Sequence, residues 1–98
     1  MPDSQGLARL HITVKGRVQA VGFRAYVEYR ARELGITGWV RNVGYDTVEV
    51  VAEGERPILE RFAAAVQAGP QGSRVDASSI EWLDAAGEFQ YFIVRRSI

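Results

Sequence analysis

The residues of this chain fall into the order strand, helix, strand, strand, helix, strand, with one more short strand at the end. That order predicts an α+β sandwich in which two helices cover one face of an antiparallel sheet. Three observations carry it. Residues 9–15 alternate apolar and polar, the mark of a strand with one wet face. Two later segments repeat apolar residues at helical spacing. Between those segments lie two β-branched runs joined by a short turn.

In the first strand Leu10, Ile12 and Val14 face one way, and Arg9, His11, Thr13 and Lys15 the other. A sheet wet on one face is antiparallel or mixed rather than a parallel sheet sandwiched on both sides. Phe23, Val27, Ala31 and Leu34 then predict a helix over residues 22–34, with Gly35 as its stop. Glu28 and Arg32, four apart in the favourable order, support its wet face. Residues 36–43 and 47–53 form a hairpin around Gly44-Tyr45-Asp46, with Val48, Val50 and Ala52 inward. Glu55-Arg56-Pro57 opens a second helix whose buried stripe is Ile58 or Leu59, Phe62 and Val66, and Gly69-Pro70 ends it. Residues 71–74 read as a loop, 75–83 as a strand with Ile80 and Trp82 on one side, and 84–88 as a turn. Residues 89–94 read as a last short strand, expected to share with 75–83 the edge beside the first strand. Trp39 and Trp82 are expected to pack, and Arg95 and Arg96 to reach into water. The order fits the split βαβ plan of a ferredoxin-like sandwich, with the C-terminal strand as a local elaboration.

Ninety-eight residues suffice for a single domain, read as residues 7–98 behind a polar, flexible tail at 1–6. Twelve basic and twelve acidic residues cancel, which argues against a general polyanion-binding surface, so any positive field is local. Without cysteine and with one histidine, the chain has neither disulfides nor the ligands of a transition-metal site. No apolar run approaches the ~20 residues of a membrane span, and no signal peptide is seen. The expectation is a cytoplasmic monomer with no cofactor, metal, nucleic-acid partner or membrane contact.

The stretch Gly16-Arg17-Val18-Gln19-Ala20-Val21-Gly22-Phe23-Arg24 stands out. No Ser, Thr, Asp or Asn is placed to cap the helix that starts there, so its first N–H groups lack an obvious partner. Arg24 sits at the end of the helix dipole that disfavours a cation, and an anion, phosphate above all, compensates both. The second helix is a poor anion site, because Pro57 removes an N–H and Glu55 repels. In a split βαβ unit the first two strands in sequence run parallel with the third between them. The 16–23 loop and Asn42 therefore share one rim, about 9–10 Å apart. Taken alone, Asn42 reads as a strand-end residue that opens the hairpin; convergence with Arg24 favours a site. Arg17 is a second candidate contact, weighed against a plain rim charge. His11 lies on the open sheet face, too far along the strand to serve as a base. Arg95-Arg96 reads as a solubilising pair. RNA-recognition modules share this plan, but His11, Thr13, Lys15, Thr47, Glu49, Val51 and Glu53 offer no stacking platform.

With Gly38-Trp39-Val40-Arg41-Asn42, Thr47-Val48 and Gly54, the 16–24 stretch resembles the acylphosphatases, small ferredoxin-like hydrolases of carboxyl-phosphate anhydrides. The resemblance covers residues 10–94. It implies that Arg24 binds phosphate and that Asn42 positions the attacking water. It also implies that backbone N–H groups of Gln19, Ala20, Val21, Gly22, Phe23 and Arg24 cradle the phosphate oxygens. Small acyl phosphates and inorganic phosphate are the implied ligands. Two residues depart from the family's pattern, Ala20 and Asp46, both where glycine is usual. If position 20 needs positive φ, alanine costs about 1 kcal/mol or more there. The alternative to an enzyme is a module that holds phosphate in the same cradle without turning it over.

Overall fold

The computed structural model describes residues 6–98; apart from Gly6, the expected tail at 1–6 lies outside the described residues. The elements are β1 (Leu7–Arg17), α1 (Phe23–Glu33), β2 (Thr37–Val43), β3 (Thr47–Glu55), α2 (Arg56–Ala68), β4 (Arg74–Leu83) and β5 (Phe92–Val94). They form one five-stranded sheet in the order β4-β1-β3-β2-β5. β1 pairs antiparallel with both β3 and β4, and β2 pairs antiparallel with β3. The four longer strands thus make the ferredoxin-like sandwich, with both helices on one face.

The alternation of β1 decides which face that is. Leu10, Ile12 and Val14 are fully buried beneath the helices, together with Val40, Val48, Val50 and Ala52. Helix α1 contributes Phe23, Val27 and Ala31, and α2 contributes Leu59, Phe62, Ala63 and Val66. Leu59 rather than Ile58 is therefore the first fully buried residue of the α2 stripe. Tyr26 ties the helices together, its hydroxyl donating to the Ala65 carbonyl at 2.9 Å. Among the described residues no helix is long and apolar enough to cross a membrane.

The last strand departs from expectation. β4 alone takes the edge beside β1, while β5 lies on the opposite edge and pairs parallel with β2, Val40 opposite Val94. Residues 84–91 carry the chain from the β4 edge of the sheet to the β2 edge. That segment is pinned to the open face by Glu53, whose carboxylate accepts from the N–H groups of Ala86 at 2.8 Å and Gly87 at 3.0 Å. Phe89, expected to open the strand, is used in the crossover instead, beneath the Arg9 guanidinium. The strand shortens to three residues.

The open face is laced with charge. Arg9 pairs with Glu53 at 2.8 Å, and Glu49 lies between His11 and Arg41, 2.8 Å from each. Trp39 is not in the core: it lies on this face with the guanidinium groups of Arg41 and Arg95 each 4.8 Å from its ring. Arg95 therefore stacks on Trp39 rather than standing free in water. Trp82 does pack against the core's edge, under Arg56 at 3.9 Å.

Candidate active site

A glycine at position 16 lets β1 end in a tight departure. Its φ is 141°, a Cβ there would run into the Arg74 carbonyl, and the β1–β4 register slips between Lys15 and Gly16. The chain is thereby thrown off the sheet toward the helix face. Val18 then buries completely, and Val21 packs against the core. Two residues of the turn take left-handed backbone, Ala20 at φ 61° and Gly22 at φ 75°. Alanine therefore does occupy the strained conformation, at a cost of about 1–2 kcal/mol.

Gly22 is the N-cap of α1, and among the described residues no side chain caps that end. The first turn carries no acidic residue. The helix begins as a set of N–H donors facing a concavity of about 300 Å³. Its walls include Gln19, Ala20, Gly22 and Arg24 from the loop and α1, and Asn42 from β2. The topology thus brings together the groups that the sequence placed on one rim. Arg24 is half-buried and makes no ion pair with another described residue. Asn42 is 9% exposed, and among the described residues its Oδ1 has no hydrogen-bond partner. A buried acceptor left unpaired costs about 1–3 kcal/mol, so its natural occupant is a donor brought into the concavity.

Arg17 is not part of this arrangement: it is exposed at the end of β1, opposite Arg74. Gln19 commits its side-chain amide to the β2–β3 hairpin. Its Nε2 reaches the carbonyls of Thr47 at 2.9 Å and Gly44 at 3.2 Å, with Val43 at 3.4 Å beyond them. An amide NH₂ has two protons, so the first two are the bonds that count. The side chain clasps the β2–β3 hairpin to the loop, a role that the sequence reading missed. Asn42 is held from the other side, its carbonyl accepting from the Ile98 N–H at 3.0 Å. Glu28 and Val94 also line the concavity. Neither was legible as a site residue, since Glu28 reads as helix surface and Val94 depends on where β5 docks.

His11 is remote from these residues, in the ion-pair lattice of the open face. Burial there pushes Glu49 up, but hydrogen bonds from His11 and Arg41 outweigh it and hold the carboxyl below its ordinary range. Burial also raises Glu53, and the Ala86 N–H, the Arg9 guanidinium and the Gly87 N–H together bring it below. Both carboxylates stabilise the fold rather than the cavity.

Residues 10–94 match the sequence model of the family described as Acylphosphatase. A relative of that name from Salinibacter ruber is 46% identical over 88 residues, covering 90% of this chain and 93% of its own. The crystal structure of acylphosphatase from Bacillus subtilis superposes with a TM-score of 0.86 at 34% identity, covering 90% of this chain and 98% of its own. An acylphosphatase from Coxiella burnetii superposes at 0.89, also 34% identical, over 97% of this chain and all of its own.

Proposed function

Because this chain belongs to the acylphosphatase family, and is a hydrolase of small acyl phosphates, we propose that Arg24 and the loop N–H groups bind the phosphate while Asn42 aims the water. The observation that carries the assignment is that, among the described residues, the buried Oδ1 of Asn42 has no hydrogen-bond partner and the Arg24 guanidinium in the same concavity has no ion-pair partner.

The chemistry asks for little more. Attack of water on phosphorus forms one P–O bond and breaks the bond to the acyl oxygen. The leaving carboxylate has a conjugate acid of pKa roughly 4, so it departs without a proton donor. The transition state is loose, with charge on the equatorial oxygens, where backbone N–H groups and a two-pronged guanidinium stabilise it. Asn42 cannot take a proton near pH 7. Its Oδ1 accepts a hydrogen bond from the water and holds it in line, and the water's proton passes to a phosphoryl oxygen. The loop residues Gln19, Ala20, Val21, Gly22 and Phe23 act through their main chain, and a single copy furnishes the whole set, so a monomer suffices.

The test is hydrolysis of an acyl phosphate by the pure protein with chelator present, with inorganic phosphate as competitive inhibitor. Asn42→Ala is expected to lower kcat about 100-fold or more while leaving phosphate inhibition nearly intact. Arg24→Ala is expected to lose both. Equal loss of phosphate binding in the two variants would reverse the assignment.

A further inference from the structure

Asn42 is the most buried polar side chain that lines the concavity. Asn42 is 9% exposed, the Glu28 side chain 28%, and Val94 41%. In-line displacement places the leaving carboxylate opposite the attacking water. With the water at the buried carboxamide, the acyl group must point away from Asn42. Glu28 lies on the same face of α1 as Arg24, four residues on, and about 7–8 Å along the helix from Phe23. That is beyond the reach of the phosphate oxygens and within reach of the acyl substituent. Val94 lines the same concavity from β5: it follows the buried Phe92 by two, which puts both on the helix-bearing face of that strand.

We infer that Glu28 and Val94 are the walls of the acyl subsite, and that Glu28 selects against acyl groups bearing a carboxylate near the anhydride. The inference rests on the proposed reading of the phosphate end. Substrates of the favoured class have an uncharged, partly apolar acyl group, or one with a hydrogen-bond donor for the Glu28 carboxylate. Arg32 moderates the selection. Its Nη2 pairs with Glu28 at 3.0 Å and also reaches the Phe92 carbonyl of β5 at 3.4 Å, and it partly neutralises the wall.

The test compares butanoyl phosphate with succinyl phosphate, which match in chain length and differ by a carboxylate in place of a methyl. The quantity read is the ratio of kcat/KM for succinyl over butanoyl phosphate. Glu28→Gln is expected to raise that ratio about three- to tenfold. Arg32→Ala, which unmasks the carboxylate, is expected to lower it, and added salt to shrink both effects. An unchanged ratio in both variants, or equal changes for both substrates, overturns the acyl-subsite assignment while leaving the phosphate end standing. A wild-type protein that hydrolyses neither compound overturns the reading beneath it as well.

Discussion

Ala20 is the residue whose backbone and side chain disagree. At φ 61° it adopts a conformation that glycine takes freely. Relief of about 1–2 kcal/mol of strain competes with about 0.4–1 kcal/mol of extra unfolded-state entropy in a glycine variant. Ala20→Gly is therefore expected to gain up to about 1 kcal/mol in urea denaturation; a loss would mean that the loop relaxes around alanine. Arg24 makes a different demand, for shape. A lysine keeps the charge but not the planar fork, so Arg24→Lys is expected to weaken phosphate inhibition by about tenfold or more. Arg24 was legible because a cation in an uncapped first turn is out of place. Asn42 was legible because a carboxamide is uncommon within a strand.

Elements here are joined by side chains that reach across the sequence. Gln19 holds the 18–22 loop against the β2–β3 hairpin through the carbonyls of Thr47 and Gly44. Gln19→Leu is expected to cost about 1–3 kcal/mol, because two carbonyls lose their donors, and to lower kcat more than it raises KM, since Asn42 rides on that hairpin. The β4–β5 crossover depends in the same way on Glu53. Its carboxyl titrates below the ordinary value in the fold, so its stabilisation is complete above about pH 4.5 and is lost as pH falls through the depressed pKa. Glu53→Gln is expected to be about 2–3 kcal/mol less stable than the wild type at pH 7. The gap should close in acid, as read from denaturation midpoints between pH 7 and pH 3. A gap independent of pH would show that the crossover is held by packing instead.

For the whole molecule, the central fact is that one core serves both the helices and the edge strand that lines the concavity. Phe62 of α2 is fully buried and meets Phe92 of β5 edge-on at 6.0 Å. Phe62→Ala is expected to cost about 3–5 kcal/mol, a large share of the roughly 5–15 kcal/mol typical of a domain, and to loosen β5 and with it Val94. Denaturation and the succinyl-to-butanoyl selectivity would report the two effects separately. The sequence by itself determined the order and faces of the elements, the helix whose first turn has no side-chain cap, and the rim shared by Arg24 and Asn42. Those follow from local periodicity, capping and the connectivity of a split βαβ unit, all of which are written in neighbouring residues. Only the tertiary structure decided that β5 docks beside β2, that Gln19 clasps the hairpin, that Arg95 stacks on Trp39, and that Glu28 and Val94 face one cavity. Each of these is a partnership between residues far apart in the chain, chosen by which edge or carbonyl is left unpaired once the sheet has formed, and no local pattern encodes that choice.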